Sequence, residues 1–262
     1  MFGFSAARAA AVQRALIEEP NALQIQSRDH ADGWGIGYYP EGAVVPTVLR
    51  SINGAYADSE FAETAGRVSA RTVIAHVRRA SCGPVSLENT HPFHHGRWMF
   101  AHNGTVSRFA EVRASLEGRI DRRLLGLLRG ETDSERCFLI LLGRLLARES
   151  LDEPRGSAAM ATAILETVEL VHQAADEGAP EPSSLTFILS DGISLVAYRD
   201  GRSLHYSLDA PAPHRPGEPI SELTVASEVL SAERNWIEVP EGGLIGIDDA
   251  RSLYVGAAAE PR

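Results

Sequence analysis

The order of hydrophobic patterns along this chain constrains its fold more than any single motif does. Short runs rich in β-branched and aromatic residues predict strands. These runs lie at residues 33–39, 44–51, 72–77, 98–101, 185–189, 194–199, 203–208, 223–226 and 244–247. Two long runs with apolar residues at helical spacing, 132–148 and 157–175, separate the first four strands from the other five. This order predicts an α+β protein in which sheets pack together and helices lie on the outside.

Two further patterns predict helix boundaries. An Ala-rich stretch at residues 6–17 has apolar residues at helical spacing and is followed by Pro20, so it predicts a short amino-terminal helix. The helix at 132–148 opens with Thr132 and has Glu135 three positions later, which is the spacing of a capping box.

Residues typical of turns separate the predicted strands in the second half of the chain. The pairs Asp191-Gly192 and Asp200-Gly201 predict hairpin connections between successive strands. The Pro-rich segment 210–219 predicts a surface loop rather than an interdomain linker, because the residues after it are too few to fold alone. We therefore expect one domain over residues 1–262.

Composition excludes several classes of function. All 25 basic residues are Arg, so a Lys Schiff base, a P-loop Lys and a Lys general base are excluded. The net charge of −10 disfavours binding to nucleic acid or to an anionic membrane surface. No signal segment opens the chain, no apolar run is long enough to span a membrane, and the two cysteines, Cys82 and Cys137, cannot form a disulfide framework. We expect a cytoplasmic protein that acts on a small molecule.

The densest set of reactive polar side chains lies between His76 and Asp133. Taken singly, Arg78 fits a solvated surface, Asn103-Gly104 fits a hairpin turn, and Asp133 fits a helix N-terminus. Their order suggests instead that they converge on one cleft that binds an α-amino acid. Arg78 can bind a carboxylate with two hydrogen bonds and Asp133 can pair with an ammonium group. The Asn103 amide and the Gly104 N–H can stabilise a developing oxyanion.

The histidines offer an alternative reading as a metal site. His91, His94, His95 and His102 are close in sequence, but their spacing is not a recognised zinc pattern and both cysteines lie apart from them. We therefore expect no metal, and core or hydrogen-bonded roles for most of these rings. Cys82 is expected to be an ordinary thiol, because nothing in the sequence would lower its pKa.

Several segments, in this order, resemble the motifs of class II glutamine amidotransferases, which have the N-terminal nucleophile hydrolase fold. The segments are Asp32-Gly-Trp-Gly-Ile-Gly37, His76-Val-Arg78, Asn89-Thr-His-Pro-Phe93, Ala101-His-Asn-Gly104, Thr132-Asp-Ser-Glu135, Ala226-Ser-Glu228 and Pro240-Glu-Gly-Gly-Leu-Ile245. The chain is especially similar to the free-standing bacterial type that includes YafJ-like and ergothioneine-pathway proteins. The resemblance implies a four-layer αββα sandwich with glutamine, or a γ-glutamyl amide, bound between the two sheets.

The resemblance also implies roles for individual residues. In this family a cysteine, exposed as the first residue by removal of the initiator Met, attacks the side-chain amide, and its own α-amine or a water is the base. A γ-glutamyl thioester and ammonia result. By motif, Arg78 with Ser81 would bind the substrate α-carboxylate, Asp133 would bind the α-amine, and Asn103 with Gly104 would form the oxyanion hole. We expect no cofactor.

The chain departs from the family at its first residues. The family usually begins Met-Cys-Arg-Leu-Phe-Gly-Phe, whereas this chain begins Met1-Phe2-Gly3-Phe4. As written it has no N-terminal thiol, so we expect it to be inert as a glutaminase. Either it is a pseudoenzyme that keeps the pocket, or its start has been placed three residues late and Met-Cys-Arg is missing. The second explanation is favoured because Met1 falls where the family has Leu and the pocket residues are all in place.

These observations give two hypotheses for function. The first is a stand-alone amidotransferase domain that hydrolyses glutamine or a γ-glutamyl amide, and either delivers ammonia to a separate synthase or acts on a small metabolite. The second is an inactive module that binds glutamine or a related metabolite, or that scaffolds a partner enzyme.

Overall fold

The computed structural model describes residues 1–209 and 219–256. The strands within these ranges are β1 (Phe2–Ala11), β2 (Trp34–Tyr38), β3 (Thr47–Ser51), β4 (Ser69–Val77), β5 (Phe93–His95), β6 (Trp98–Thr105), β7 (Ser184–Ser190), β8 (Leu195–Tyr198), β9 (His205–Leu208), β10 (Glu222–Ala226), β11 (Ile237–Glu238), β12 (Leu244–Ile247) and β13 (Leu253–Gly256). The α-helices are α1 (Leu23–Gln26), α2 (Ser59–Arg67), α3 (Phe109–Glu117), α4 (Asp133–Leu146) and α5 (Ser157–Ala175).

The strands form two sheets. The first sheet has seven strands in the order β11-β9-β10-β1-β4-β2-β3, and the second has six in the order β13-β12-β8-β7-β6-β5. Neighbouring strands in both sheets pair antiparallel. The strand that begins the chain, β1, therefore lies in the middle of the first sheet, between β4 and β10.

Three apolar cores show how the layers stack. One core joins the outer face of the first sheet to α2 and the turns before it, and includes Phe2 and Trp34. A second fills the space between the sheets and includes Ile74 and Ile188. A third packs α4 and α5 on the outer face of the second sheet, around Phe100. The fold is therefore the αββα sandwich that the sequence predicts.

Strand β2 explains how closely the two sheets approach. Its large residues, Trp34 and Ile36, are buried against the helices of the first sheet. Its glycines face the second sheet, because side chains alternate along a strand. A Cβ atom at Gly35 would lie 2.0 Å from the His91 carbonyl oxygen, and one at Gly37 would lie 2.5 Å from a Met99 sulfur. Glycine at these two positions therefore lets the sheets pack at this distance.

The amino-terminal helix predicted at residues 6–17 is wrong. Strand β1 continues through Ala11, and a single π-helical turn, Arg14–Glu18, follows it. Residues 2–5 of this strand pair on both sides, Ala6 pairs with β10, and Ala10 and Ala11 pair with β4, while Phe2 and Phe4 are buried against the helix layer. This pairing and burial outweigh the high helix propensity of its alanines.

The two long helices are confirmed. Helix α5 spans the predicted 157–175, and α4 lies within the predicted 132–148. The Thr132 hydroxyl caps α4 by accepting from the Glu135 N–H at 3.3 Å. The Glu135 carboxylate instead accepts from the Arg129 and Gly130 N–H groups, both at 2.8 Å, so only half of the predicted capping box forms. No helix within residues 1–209 and 219–256 is long and apolar enough to cross a membrane.

One of the two predicted hairpins is wrong. Asp191-Gly192 connects β7 to β8, which pair in the second sheet, so this hairpin is confirmed. Asp200-Gly201 instead leads from β8 in the second sheet to β9 in the first. Gly192 and Gly201 both have positive φ, which suits either kind of tight connection. The predicted loop at 210–219 lies, except for Pro219, outside the described residues.

A charged histidine in α5 contacts the turn at Asp200-Gly201, where the chain crosses from the second sheet to the first. Nδ1 of His172, near the end of α5, lies 2.5 Å from an Asp176 carboxylate oxygen, and Nε2 lies 2.7 Å from an Asp200 oxygen. These hydrogen bonds, above all the one with Asp200, raise the pKa of His172 to about 9. The ring therefore carries a positive charge at neutral pH and holds the crossover turn against α5.

We expect the contribution of His172 to stability to depend on pH. Because the folded-state pKa is raised above the ordinary value, the contribution is fully present below about pH 6.5 and is lost as the pH rises through about 9. His172→Gln should lower the free energy of unfolding by about 2 kcal/mol at pH 6 and by much less at pH 10. Urea unfolding of both chains at the two pH values measures this, and an equal difference at both would contradict it.

Candidate active site

A cavity of about 650 Å³ opens where strand ends from both sheets meet the start of α4. Its walls come from the first residue of the chain, the end of β4, the end of β6, the residues after β10 and the first turn of α4. All five residues predicted from the sequence line it, namely Arg78, Ser81, Asn103, Gly104 and Asp133. The fold thus brings together five predicted residues that are up to 55 positions apart in the chain, and places them beside Met1 and Glu228.

Arg78 lies immediately after β4 and is 4% exposed. Its guanidinium donates to the carbonyl oxygens of Cys82 at 3.0 Å, Gly83 at 3.4 Å and Pro84 at 3.2 Å. A guanidinium has five N–H donors, so these bonds leave at least two for a ligand. The loop at 82–84 therefore fixes the orientation of a buried cation that still has free donors on the cavity wall.

Asp133 is the first residue of α4 and is 2% exposed. One carboxylate oxygen accepts from the Val106 N–H at 2.8 Å, and the other accepts from the Ser134 N–H at 2.8 Å. The second oxygen also accepts from the Cys82 thiol at 3.1 Å. Backbone donors from the residue after β6 and from α4 thus orient the carboxylate, and the Cys82 thiol that donates to it lines the cavity.

Cys82 is not an activated nucleophile. Burial, followed by the charge of Asp133, raises the pKa of its thiol to about 12. The group therefore stays protonated at neutral pH and acts as a hydrogen-bond donor to Asp133. The sequence interpretation of Cys82 as an ordinary thiol is confirmed.

Asn103 and Gly104 lie within a strand and not in a hairpin turn. Strand β6 continues to Thr105, and Asn103 and Gly104 pair with Thr186 and Leu185 of β7. A Cβ atom at Gly104 would lie 1.9 Å from the Ser184 carbonyl oxygen, so no larger residue fits without moving β7. Among the described residues the Asn103 side-chain amide has no hydrogen-bond partner, which leaves it available to a ligand in the cavity.

Three buried imidazoles on the cavity wall, those of His76, His91 and His102, were not among the residues predicted to bind a ligand. The rings of His76 and His91 lie 4.4 Å apart, and burial lowers the pKa of both well below the ordinary value. Neither ring nitrogen of His91 has a partner among the described residues. His102 bonds the Ser134 hydroxyl and the Ser184 carbonyl oxygen, each at 2.9 Å. Side chains alternate between the two faces of a strand, so His76, two positions before Arg78, could have been predicted to lie on the same face as Arg78.

The four histidines considered as metal ligands do not converge. His91 and His102 line the main cavity, whereas His94 and His95 line a separate cavity of about 320 Å³. Within residues 1–209 and 219–256, no three His, Cys, Asp or Glu side chains are grouped so that they could hold a metal ion.

The amino terminus itself reaches the cavity, because β1 is central in its sheet. The Met1 α-amine donates to the Ser227 hydroxyl at 3.0 Å, and the Ser227 N–H donates to the Met1 carbonyl oxygen at 3.0 Å. Burial lowers the pKa of this amine to about 5. The Met1 amine is consequently neutral at pH 7.

A sequence model of the family described as "Glutamine amidotransferases class-II" matches residues 21–218. The chain belongs to the class II glutamine amidotransferases. This amidotransferase chain is 30% identical over 248 residues to "Probable glutamine amidotransferase DUG3" of Saccharomyces cerevisiae, with 83% of this chain and 70% of the yeast protein covered. It is 26% identical to the "Gamma-glutamyl-hercynylcysteine sulfoxide hydrolase" of Mycobacterium tuberculosis, with 90% and 88% covered. The family resemblance inferred from the motifs is therefore confirmed.

Solved structures agree on the fold of this amidotransferase. A glutamine aminotransferase class-II domain protein from Silicibacter pomeroyi superposes with a TM-score of 0.67 at 22% identity, covering 98% of both chains. The glutamine phosphoribosylpyrophosphate amidotransferase of B. subtilis superposes with a TM-score of 0.64 at 15% identity, covering 99% of this chain and 49% of that one. At these identities the likeness shows the fold alone, the αββα sandwich described above.

The raised pKa of Cys82 predicts slow alkylation of the folded chain. At pH 8 a thiol with a pKa near 12 is ionised roughly 10³-fold less than an unperturbed cysteine, and Cys137 is buried. Iodoacetamide at pH 8 should therefore label the native chain about three orders of magnitude more slowly than the urea-unfolded chain. Mass spectrometry of Cys82→Ser and Cys137→Ser variants assigns the labelled site. Rapid native labelling at Cys82 would contradict the protonated state.

Proposed function

We propose that this amidotransferase chain supplies the pocket for cleaving the side-chain amide of glutamine or of a γ-glutamyl amide. The observation that supports it is the convergence of a buried guanidinium, a buried carboxylate and an unpaired amide in one cavity. Arg78, with Ser81, would bind the α-carboxylate and Asp133 the α-ammonium. The γ-amide of the substrate would then extend towards Asn103 and Gly104.

The reacting carbonyl would lie against the end of β6. The pairing of β6 with β7 holds the backbone of Asn103 and Gly104 in place before the substrate arrives. Donors fixed in this way stabilise a developing oxyanion, and one such donor typically contributes about 10² to 10³ in rate. Attack by a thiol would break the amide C–N bond, form a γ-glutamyl thioester and release ammonia or an amine. Water would then release glutamate.

The nucleophile is absent from the chain as written, and the pocket itself indicates where one would enter. Phe2 and Phe4 carry no thiol, and the Cys82 thiol is protonated. Met1 lines the cavity together with Asn103, so residues attached to its amine would enter this cavity. We therefore assign binding without cleavage to the chain as written, and cleavage to a form in which Cys-Arg precedes residue 1. A separate synthase is the proposed recipient of ammonia when glutamine is the substrate.

Ligand binding to the chain as written tests the pocket without the thiol. Arg78 and Asp133 can bind the α-carboxylate and the α-ammonium of glutamine without the thiol. Glutamine at about a hundred times its Kd should therefore raise the temperature midpoint of unfolding by about 5 °C. Arg78→Lys keeps a charge but lacks the planar donors, and we expect it to lose most of this shift. Differential scanning fluorimetry measures the midpoints.

Arg122→Ala is the matched control, because Arg122 is exposed and does not line the cavity. It should keep the full shift with glutamine. Circular dichroism of each variant establishes that it is folded. An unchanged midpoint with glutamine at millimolar concentration would contradict the pocket assignment.

Restoring a thiol tests catalysis. We expect a chain that begins Met-Cys-Arg-Leu in place of Met1 to release glutamate from glutamine or from a γ-glutamyl amide after removal of its initiator Met. The chain as written and a Met-Ala-Arg-Leu form should be at least 10³-fold slower, since nothing replaces the nucleophile. A coupled glutamate assay measures all three. A folded, glutamine-binding Cys form without activity would favour the binding-module hypothesis, and activity in the chain as written would contradict its predicted inertness.

A further inference from the structure

A second cavity, of about 320 Å³, lies at one lateral edge of the sandwich. The first sheet ends there with β3 and the second with β5, and residues of both strands, of α4 and of the loop between β4 and β5 line the cavity. Among the described residues, none that lines this cavity also lines the main one. Its volume is at the lower end of the range for small-molecule sites, so it fits one small organic molecule.

The interior of this second cavity is apolar. Phe93 of β5 and Phe138 and Leu139 of α4 line it and are buried. Leu87, on the loop between β4 and β5, also lines the cavity and is 48% exposed. An exposed leucine beside three buried apolar side chains forms a surface that an apolar group can cover. The interior therefore fits an aromatic or branched aliphatic group.

Arg50 supplies a partly buried cation to the second cavity. It pairs with Gly35 across β2 and β3, so its side chain lies on the face that meets the second sheet. Its guanidinium donates to the Pro92 carbonyl oxygen, whereas its Nε atom is buried without a partner among the described residues. Burial lowers the pKa of Arg50 to about 10, so the group stays charged at neutral pH. A charged donor that is buried without a partner indicates a site for an anion.

Arg129 is a second cation at this cavity. It lies on the segment before α4 and is exposed, and its side chain has no hydrogen bond or ion pair within residues 1–209 and 219–256. Glu88 is also exposed, and no ion pair joins it to Arg50 or Arg129. Two guanidinium groups thus accompany one exposed carboxylate at the opening of the cavity.

The other titratable groups of the cavity do not cancel this positive charge. The Glu135 carboxylate accepts from two backbone N–H groups at 2.8 Å and lies 3.4 Å from a nitrogen of buried Arg136, so its charge is compensated within the protein. Burial, followed by the charge of Arg50, lowers the pKa of His94, so this ring is neutral at pH 7. His95 can add only positive charge. The second cavity thus combines an apolar interior with a positive opening.

We propose that the second cavity binds a small organic carboxylate with an apolar body, at a site separate from the main cavity. Arg50 and Arg129 pair with the carboxylate, and the aromatic or branched aliphatic group packs against the buried apolar side chains. Guanidinium groups bind carboxylates through charge-assisted hydrogen bonds, which are stronger where the cation is partly removed from water. The bound apolar group covers Leu87.

Isothermal titration of the chain as written with 3-phenylpropionate and its neutral counterpart 3-phenylpropionamide tests the site. The two probes share the phenyl group and differ in charge. We expect the carboxylate to bind about tenfold more tightly at low salt, and added salt to reduce this difference. Propionate lacks the ring and should bind about tenfold more weakly than 3-phenylpropionate, because it buries less apolar surface.

Four variants identify the cavity that is occupied. Arg50→Gln should weaken binding of 3-phenylpropionate about tenfold. Arg129→Gln removes an exposed charge, so it should weaken binding about threefold and should fold even where Arg50→Gln does not. Arg122→Gln is the matched control, because Arg122 is exposed and lines neither cavity, and it should bind like the parent chain. Arg78→Lys alters the main cavity and should also bind like the parent chain. Circular dichroism establishes which variants are folded.

Three results would refute the second site. The first is no binding of 3-phenylpropionate at millimolar concentration. The second is an equal Kd for the carboxylate and the amide, because the positive opening would then have no effect. The third is binding that Arg78→Lys abolishes while the folded variants at Arg50 and Arg129 retain it, because the probe would then occupy the main cavity. None of these results bears on the binding of glutamine, so the proposed function is tested independently.

Discussion

The pairing of β1 between β4 and β10 is the constraint on which the rest of the structure depends. It places the amino terminus in the middle of a seven-stranded sheet, next to the strand end that precedes Arg78 and the strand end that precedes Ser227. The second sheet must then pack closely over this centre, and Gly35 and Gly37 allow it to do so. Strand ends of both sheets meet at one edge, and the cavity lies there.

The charged groups of the cavity are held mainly by backbone atoms. Arg78 is oriented by carbonyl oxygens of the following loop, and Asp133 by N–H groups of Val106, just after β6, and of Ser134 in α4. Buried charges are costly unless such partners fix them, so the pocket is ordered before a ligand arrives. The neutral imidazoles of His76 and His91 add polar surface without adding charge. The result is a site whose two charged ends are set by the fold.

Sequence periodicity predicted correctly those helices and strands whose local propensity agrees with the way they pack in the fold. Residues 157–175 form a helix as expected, because their apolar stripe packs against α4 and the second sheet. The same reasoning failed at residues 6–17, where β1 continues to Ala11 because Ala6 pairs with β10 and Ala10 and Ala11 pair with β4. It failed again at Asp200-Gly201, since turn chemistry specifies a reversal of the chain but not which sheet the next strand joins.

The sequence by itself determined the family, the layer order and the set of residues at Arg78, Ser81, Asn103, Gly104 and Asp133, because motifs and periodicity are local properties of the chain. Only the tertiary structure decided what lies beside them. Contacts of His91 with His76, of Cys82 with Asp133, and of the amino terminus with Ser227 join residues that are distant in the chain. Such contacts follow from strand order and sheet packing, which no local pattern encodes.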